Sequence, residues 1–398
     1  MTARTSTTFS PPVMEARRWI DGVTFPDDRP LLNVSQAAPV DPPPPPLREA
    51  MAEALDDPAT HLYGPVLGLP TLRDEVARQW SESYGGQIDA GQVAITAGCN
   101  QAFATAIASL CGEGDEVLLP TPWYFNHKMW LDMSGVTAVP LPQGAGLLPD
   151  PAAAEAAITD RTRAIALVTP NNPGGVEYPP DLVMEFYAIA RKFCIALILD
   201  ETYRDFDSRT GAPHQLFTDP DWPETLIHLY SFSKAYRLTG HRVGAMIASR
   251  SRLAEAEKFL DSVSICAPQL GQRAALWGLQ NLGQWLAGER AEILDRRAAI
   301  EEGFGRLADK GWRLLGVGAY FAYLEHPFAI PSDQLAPELV RRASVLMLPG
   351  TMFVPEGDPA GARQLRVAFA NIDRSGIATL YDRLAVLDLP LAPAAGAA

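Results

Sequence analysis

A lysine flanked by hydroxyl groups and arginines has the clearest chemical potential in this sequence. Lys234 lies in Ser-Phe-Ser-Lys-Ala-Tyr-Arg-Leu-Thr-Gly-His-Arg-Val-Gly, so Ser231 and Ser233 precede it and Arg237 and Arg242 follow it. Hydroxyl donors and the guanidinium fork of an arginine suit a phosphate group. A lysine beside that phosphate could form an imine with an aldehyde-bearing cofactor and then act as a general base. A basic surface turn is the alternative interpretation, because most lysines are simply exposed.

Asp200 and Tyr203 extend this chemistry. Asp200 ends an apolar run and begins the tetrapeptide Asp-Glu-Thr-Tyr. A carboxylate at the end of a strand is most often a turn or helix cap. Beside an imine-forming lysine, it would keep the ring nitrogen of pyridoxal phosphate protonated, and the cofactor acts as an electron sink only in that state. Tyr203 could hydrogen-bond the phenolic oxygen of the same ring, with plain core packing as its alternative.

An amide and two aromatic side chains are further candidates. Asn172 lies in Asn-Asn-Pro-Gly-Gly, a turn by composition, where Pro173 could hold the amide towards the same phenolic oxygen. Trp123 and Tyr124 are core aromatics by default, and either could instead stack on a flat heteroaromatic ring.

A glycine turn offers a second phosphate-binding element. Gly98, Cys99 and Asn100 open a helical pattern with Phe103 and Ile107 on one stripe. The first turn of a helix presents free backbone N–H groups and the positive end of the helix dipole, which suits a phosphate. Alone this signal is weak, because many helices begin with such a turn.

The elements that must position these residues alternate between strand and helix. Short apolar runs at Glu116–Leu119, Ala164–Val168, Ile195–Leu199 and Leu226–Tyr230 predict strands buried on both faces, and Asp181–Phe193 predicts a helix. This alternation indicates an α/β layer with a mainly parallel sheet. Because ligands of such sheets bind at the carboxyl ends of the strands, the candidates that follow each run should meet at one rim.

Composition excludes several classes of partner. The chain has 398 residues, 47% of them hydrophobic and 20% charged, which suits one large domain plus a smaller one. A net charge of −14 disfavours nucleic acid and anionic membrane surfaces as partners. No apolar run approaches the length of a membrane helix, and the N-terminus does not resemble a signal peptide, so we expect a cytoplasmic protein.

The spacing of the cysteines and histidines indicates neither disulfides nor a metal site. The 4 cysteines show no CxxC pair and are expected to be reduced thiols. The 6 histidines show no ligand-type spacing, so we expect no metal site.

The proline run at 42–46 is expected to be extended, and the Ala/Pro/Gly-rich tail after Leu389 to be frayed. Gly316-Val-Gly318 does not fit a dinucleotide fingerprint.

The order and spacing of these motifs resemble the fold-type I pyridoxal-phosphate enzymes. Within that group the chain is most similar to the class I/II aminotransferases related to aspartate aminotransferase, from about Asn33 to Asn371. The resemblance implies a three-layer large domain with a mainly parallel sheet and a smaller α+β domain. The expected boundaries are 1–46 for an N-terminal arm and small-domain segment, 47–285 for the large domain and 286–398 for the small domain.

The resemblance also implies roles for individual residues. Lys234 would form the internal aldimine, Ser231 and Arg242 would bind the phosphate, and Asp200 and Tyr203 would contact the ring. Together with Lys234, the latter two form the expected catalytic set. The expected cofactor site comprises Gly98, Cys99, Asn100, Tyr124, His127, Asn172, Asp200, Tyr203, Ser231, Ser233, Lys234, Arg242 and, from the neighbouring subunit, Tyr63.

Three of these assignments come from the family pattern alone. It selects Tyr124 over Trp123 as the ring-stacking residue and makes His127 a support for Asp200. Tyr63, five residues before Gly68, would reach the phosphate of the neighbouring subunit, which implies a homodimer with shared active sites.

Arg366 completes the expected substrate site. Pro349-Gly-Thr-Met-Phe353 and Leu365-Arg366-Val-Ala-Phe resemble the signature of the small domain, whose arginine grips the substrate α-carboxylate. Ala37, Ala38 and Asn172 are the other expected substrate contacts.

Two departures from the family pattern bear on specificity. The family often has Gly-x-Pro in the segment that closes over the carboxylate, and this chain has Gln36-Ala-Ala-Pro39. The aspartate branch carries an arginine for the second carboxylate before Ala267, where this chain has Asp261-Ser-Val-Ser. A dedicated aspartate transaminase is therefore not expected. Asp261 suggests either a cationic substrate group or a solvated helix charge.

The expected reaction is ping-pong transfer of an amino group from an amino acid to a 2-oxo acid through Lys234. Other reactions at the same carbon, namely β-elimination, decarboxylation or ring closure, remain open because cofactor motifs do not distinguish them. A non-catalytic, ligand-sensing version of the fold is a third alternative, which the acidic charge disfavours.

Overall fold

The computed structural model describes residues 3–393 as an α/β protein with two main β-sheets. Its strands are β1 Leu32–Asn33, β2 Val93–Thr96, β3 Glu116–Thr121, β4 Thr137–Pro142, β5 Thr162–Val168, β6 Ala196–Asp200, β7 Leu226–Ser231, β8 Gly244–Ile247, β9 Arg313–Gly318, β10 Phe321–Glu325, β11 Val345–Leu346, β12 Leu348–Pro349 and β13 Gln364–Ala368.

The helices lie between these strands and at both ends of the chain. They are α1 Pro12–Arg18, α2 Pro45–Ala54, α3 Pro70–Tyr84, α4 Cys99–Leu110, α5 Phe125–Ser134, α6 Pro151–Ala157, α7 Pro180–Lys192, α8 Trp222–Thr225, α9 Phe232–Ala235, α10 Arg250–Ser264, α11 Gln269–Asn281, α12 Gly283–Gly303, α13 Gly305–Ala308, α14 Ser332–Ala343 and α15 Arg374–Ala385. No helix within residues 3–393 is both long enough and apolar enough to cross a membrane.

The larger sheet has seven strands in the order β2-β8-β7-β6-β5-β3-β4. Strands β4, β3, β5, β6 and β7 are parallel to one another, whereas β8 is antiparallel to both β7 and β2. The predicted α/β class with a mainly parallel sheet is thereby confirmed. The four predicted strands are β3, β5, β6 and β7, and the helix predicted at 181–193 is α7.

Helical layers cover both faces of this sheet. Along β6, Leu197 and Leu199 belong to one apolar cluster while Ala196 and Ile198 belong to another. Successive side chains of a strand point to opposite faces, so the alternation means that β6 is buried on both sides. This explains why the strand reads as a continuous apolar run rather than as an alternating pattern.

The smaller sheet is antiparallel, with the strand order β12-β13-β10-β9. A third apolar cluster packs here and includes Phe321, Leu365 and Leu380. Strand β1 also joins this part of the molecule, because Leu32 pairs with Val345 of β11 in a separate two-stranded sheet. The N-terminal segment therefore lies beside the C-terminal one.

Two expectations at the ends of the chain were wrong in part. The proline run is not extended throughout, because Pro45 and Pro46 form the first turn of α2. Proline is tolerated there, since the first N–H groups of a helix have no intrahelical acceptor. Of the tail after Leu389, residues 390–392 are hydrogen-bonded: the Ala329 N–H donates to Pro390 O, and the Ala392 N–H donates to Pro327 O. Residues 394–398 lie outside the described part of the chain.

Candidate active site

Most of the predicted site residues meet in a cavity of about 400 Å³ at the carboxyl ends of β5, β6 and β7, whereas Ala38, Tyr63, Gly98 and His127 do not line it. This rim is where a parallel sheet is expected to hold its ligand. The predicted residues that line the cavity are Ala37, Cys99, Asn100, Tyr124, Asn172, Asp200, Tyr203, Ser231, Ser233, Lys234, Arg242 and Arg366.

Lys234 lies in α9, a single helical turn that directly follows β7. Its Nζ donates a hydrogen bond to the backbone oxygen of Ala37 at 2.6 Å. Burial, together with the positive charges of Arg242 and Arg366, lowers the pKa of Lys234 to about 8. All three influences disfavour the ammonium form, so the amine is far more available near neutral pH than that of an ordinary lysine.

Asp200 is the last residue of β6 and is 3% exposed. Its Oδ1 accepts hydrogen bonds from the Thr202 hydroxyl at 2.7 Å and the Thr202 N–H at 3.0 Å. Its Oδ2 lies 3.3 Å from His127 Nε2. Burial alone would raise the pKa of Asp200, but His127 and Thr202 outweigh it and hold that pKa below its usual value. The carboxylate therefore stays ionised although it is buried.

His127 holds its position by aromatic stacking. It lies in α5, is 2% exposed, and stacks on Phe103 of α4 with ring centroids 3.7 Å apart. It contacts Asp200 without lining the cavity. The structure thus places it behind the carboxylate.

The N-terminus of α4 and Arg242 form one side of the cavity. Gly98 has φ +87°, and a Cβ atom there would lie 2.2 Å from Arg242 Nη2. Only glycine lets the guanidinium lie this close to the start of the helix. The first N–H groups of a helix have no intrahelical acceptor, and Cys99 and Asn100, which carry two of them, line the cavity. Cationic and N–H donors thus converge.

Arg366 of β13 lies on the opposite side and is 2% exposed. It donates to Asn172 Oδ1 at 2.9 Å and to the backbone oxygen of Ser35. The rings of Phe321 and Phe353 flank its guanidinium carbon at 4.9 and 5.0 Å. Burial lowers the pKa of Arg366 to about 10. Even so, the group is cationic at neutral pH.

The charges of the cavity do not balance. Within residues 3–393, Lys234, Arg242 and Arg366 form no ion pair, and their hydrogen bonds go to neutral oxygens. Among the described residues, Asp200 is the one carboxylate in the lining. Arg366 is buried without a charged partner, which is costly, so this arrangement fits a site that takes up anionic groups.

Comparisons with known proteins identify the family. Residues 29–384 match the family model described as aminotransferase class I and II. The chain belongs to this family. The aromatic aminotransferase ISS1 of Arabidopsis thaliana is 30% identical over 83% of this chain and 82% of its own length. The probable aspartate/prephenate aminotransferase of Thermus aquaticus is 29% identical over 78% of this chain and 81% of its own.

A solved structure shows the same fold. The Thermus thermophilus aspartate aminotransferase with maleate superposes with a TM-score of 0.86 at 22% identity, covering 97% of this chain and 98% of the other. The chain is therefore an aminotransferase of class I and II, a family whose members depend on pyridoxal phosphate.

In this aminotransferase a glycine of the small sheet allows the Asn172 turn to reach the site. A Cβ atom at Gly318 of β9 would lie 2.3 Å from the backbone oxygen of Gly175, which belongs to the same turn as Asn172. The sequence motif at Gly318 does not fit a dinucleotide site, and it does not predict the close approach of Gly318 to Gly175, because the two segments are far apart in the chain.

Several sequence candidates of the aminotransferase lie outside the cavity lining. Ala38 does not line it. Tyr63 is 79% exposed and belongs to a separate groove with residues 264–269. Asp261 is exposed on α10 and away from the cavity. Trp123 is buried in the apolar cluster under the sheet, so Tyr124, and not Trp123, faces the cavity.

The interpretation of Arg237 as a cation of the site needs correction. Its guanidinium donates to Glu289 at 3.0 and 2.9 Å and lies over the ring of Trp285. It does not line the cavity. A positive charge that is already paired contributes little to the capture of a phosphate, so Arg242 takes the role that the sequence reading shared between the two.

The sequence reading missed one wall of the cavity. Pro11, Val13, Met14 and Arg17, which belong to α1 or precede it, line the cavity together with Gln36. No motif spacing indicates them, because α1 is more than 200 residues from Lys234 in the sequence. Thr202 and Thr239 also line the cavity and were not singled out.

A second polar cluster lies behind Asp200. The ligand-type atoms of Glu201, His214 and His228 lie within 4.8 Å of one another, and all three residues are buried. The sequence gave no spacing signal for this group. Glu201 Oε2 lies 2.8 Å from His228 Nε2 and accepts a hydrogen bond from the Tyr84 hydroxyl. The histidines, His214 first, hold the pKa of Glu201 well below its usual value against the effect of burial.

Proposed function

We propose that this aminotransferase binds pyridoxal phosphate at Lys234 and transfers the amino group of an amino acid to a 2-oxo acid. One observation carries the proposal: Lys234, Arg242 and Arg366, which form no ion pair within residues 3–393, line one cavity whose described lining includes a single carboxylate, in a protein with a net charge of −14. Two anionic groups, a phosphate and a substrate carboxylate, would balance this excess.

The donor set fits the cofactor group by group. Arg242, Ser231, Ser233 and the first N–H groups of α4 would hold the phosphate, because Gly98 leaves room for the guanidinium beside the helix start. Asp200, ionised and buried, would pair with the ring nitrogen.

The remaining contacts would fix the ring and the substrate. Tyr203 and Asn172 would donate to the phenolic oxygen, and Tyr124 would stack on the ring. Arg366 would grip the substrate α-carboxylate with its two Nη groups, exchanging the Ser35 carbonyl for a charged acceptor. Ala37 would lie beside the substrate, since its oxygen contacts Lys234.

Bound pyridoxal phosphate supplies an aldehyde carbon that amines attack and a protonated ring that withdraws electrons from the substrate Cα. Lys234 Nζ would accept the proton from the substrate Cα and return it to the aldehyde-derived carbon of the cofactor, which its lowered pKa of about 8 allows near neutral pH. Asp200 keeps its negative charge throughout, because His127 and Thr202 stabilise the carboxylate. Arg366 fixes the substrate so that the Cα hydrogen faces Lys234.

Replacement of the lysine tests the proposal. In Lys234→Ala we expect no detectable transamination of any amino acid and 2-oxo acid pair, and no covalent cofactor after borohydride reduction. In the wild type, peptide mapping should find the reduced cofactor on Lys234.

Lys258→Ala is the matched control, since Lys258 is an exposed lysine whose side chain is 71% accessible. It should behave as the wild type in both assays. A Lys234→Ala protein that turns over at the wild-type rate would overturn the assignment.

We also propose a homodimer with shared active sites. Tyr63 and Leu62 are 79% and 65% exposed, and the groove that they share with Ser264 and residues 266–269 is flanked by the exposed Val263 and Ile265. Large exposed side chains in one place are typical of an interface, and a second copy is the occupant that the family pattern implies. Tyr63 would then reach the phosphate of the other subunit.

Domain boundaries and location are further proposals. Boundaries at 46/47 and 285/286 would assign β2–β8 to the large domain and β9–β13 to the small one, with the second boundary in the first turn of α12.

All four cysteines are free thiols, which supports a reducing compartment such as the cytoplasm.

A further inference from the structure

The wall of the cavity formed by α1 carries one cation with no assigned role. Arg17 lines the same cavity as Lys234 and Arg366 and is exposed at its opening. Within residues 3–393 it forms no ion pair. Its guanidinium Nη2 donates to the side-chain oxygen of Gln36 at 2.9 Å. The adjacent Arg18, in contrast, is paired with Glu15 at 2.5 Å and does not line the cavity.

The segment Ser35–Gln36 connects Arg17 to the expected carboxylate site. Arg366 donates to the backbone oxygen of Ser35, and Arg17 donates to the side chain of the next residue, Gln36. The Asn371 side chain donates to the Gln36 backbone oxygen at 2.5 Å and anchors the segment. Two guanidinium groups therefore meet two consecutive residues, whose Cα atoms are about 3.8 Å apart.

The two other arginines of the cavity already have ligand groups assigned to them. Arg242 lies at the start of α4, where the phosphate would bind, and Arg366 is the buried group suited to the α-carboxylate. Asp200, which would pair with the ring nitrogen, is held by His127 and Thr202, so it does not neutralise Arg17. The positive charge of Arg17 at the opening is left for the part of the substrate that points away from the reacting carbon.

We propose that Arg17 binds the side-chain carboxylate of a dicarboxylic substrate, an acidic amino acid or its 2-oxo acid, and that Gln36 positions the guanidinium. The inference rests on the proposed function for the placement of the α-carboxylate at Arg366. It gives this chain a cation for the second carboxylate on α1, although the segment before Ala267 has none.

The same wall leaves room for uncharged side chains. Val13 and Met14 line the cavity beside Arg17 and lie four and three positions before it on the helix. An apolar substrate side chain would pack on these two residues and make no demand on the guanidinium. Loss of Arg17 should therefore affect dicarboxylic substrates selectively.

Equilibrium binding to the holoenzyme tests the inference without turnover. Glutarate and pentanoate have the same chain length and differ by one carboxylate. By calorimetry we expect the wild type to prefer glutarate. Arg17→Met should weaken glutarate binding roughly tenfold to a hundredfold, the usual effect of losing a charge-assisted hydrogen bond, and change pentanoate binding less than about threefold. Arg17→Lys should retain part of the preference.

Arg18→Met is the matched control, one position away on the same helix, and should leave both affinities unchanged. In steady-state assays, Arg17→Met should lower kcat/KM for 2-oxoglutarate and not for 2-oxopentanoate.

Two results would overturn the inference: equal affinities of the wild type for the two ligands, or a glutarate preference that survives in Arg17→Met. If the wild type transaminates and Arg17→Met changes nothing, this inference fails and the proposed function stands. If the glutarate preference depends on Arg17 but no amino acid is transaminated, the proposed function fails and the Arg17 site stands.

Discussion

Lys234 and Asp200 show how the fold tunes two ionisable groups in opposite directions within one cavity. Lys234 is buried beside two cations, and each influence lowers its pKa, to about 8. Asp200 is also buried, but the nearby His127 and the two donors of Thr202 reverse the effect of burial and keep its pKa low. The result is an available amine and a persistent negative charge, which proton transfer at a substrate carbon requires.

The pKa of Lys234 leads to a prediction about cofactor uptake. At pH 7 an amine with a pKa of about 8 is about one-tenth neutral, whereas an amine with an ordinary lysine pKa is neutral in about one molecule in three thousand. Only the neutral amine attacks an aldehyde. The rate at which the apoprotein attaches pyridoxal phosphate should thus rise about tenfold per pH unit below 8 and level off above it.

Stopped-flow absorbance measures this rate directly. N-acetyl-lysine amide serves as the control, and its rate should continue to rise to about pH 10.5. An apoprotein rate that also climbs to pH 10 would show that burial and the two arginines do not lower the pKa of Lys234.

At the scale of elements, the site depends on where helices begin and where glycines permit close approach. The start of α4 can carry both its free N–H groups and the Arg242 guanidinium because Gly98 has no Cβ. The turn that carries Asn172 meets the small sheet at Gly318 for the same reason. The two sheets thus contribute to one cavity through contacts that a single methyl group would block.

Gly98→Ala should therefore damage cofactor binding more than stability. The new methyl would lie 2.2 Å from Arg242 Nη2 and displace the guanidinium, so we expect the Kd for pyridoxal phosphate to rise about tenfold or more. A positive φ adds a destabilisation of about 1–2 kcal/mol for any residue other than glycine.

Gly114→Ala separates these two effects. Gly114 has φ +86° and nothing within 4 Å of the added Cβ, so its replacement should cost stability alone. An absorbance titration with the cofactor and a urea unfolding curve on both variants provide the comparison. Equal cofactor affinities in the two variants would contradict the role given to Gly98.

At the scale of the whole molecule, one chain does not hold every residue of the expected site. Tyr63 is 79% exposed and lies in a groove apart from the cavity of its own chain. A site that needs the Tyr63 hydroxyl must therefore receive it from a second copy. In a two-fold symmetric dimer, each subunit would give and receive one such residue.

Mixed dimers test this exchange. Lys234→Ala and Tyr63→Ala each damage both sites of their own homodimer. After subunit exchange, one site of each heterodimer would combine an intact Lys234 with an intact Tyr63. We expect recovery to roughly a quarter of the wild-type activity at random mixing, because half of the dimers are mixed and each has one whole site.

The matched control mixes Lys234→Ala with Asp200→Asn. Each of these substitutions damages the cavity of the subunit that carries it. No heterodimer site is then whole, and no recovery is expected. Absence of recovery in the first mixture, with exchange verified by native mass spectrometry, would refute the shared site.

The amino-acid sequence by itself determined the family, the mainly parallel sheet and most of the cavity lining. Those features are local: Asp200 ends a strand and Lys234 and Asn172 closely follow one, the apolar run of each strand can be read directly, and parallel strands end at one rim. Only the tertiary structure decided that α1 closes one side with Arg17, that Arg237 is paired with Glu289, and that Glu201 meets two histidines. These contacts join segments far apart in the chain, and no local periodicity or spacing encodes which distant side chain will neutralise a charge.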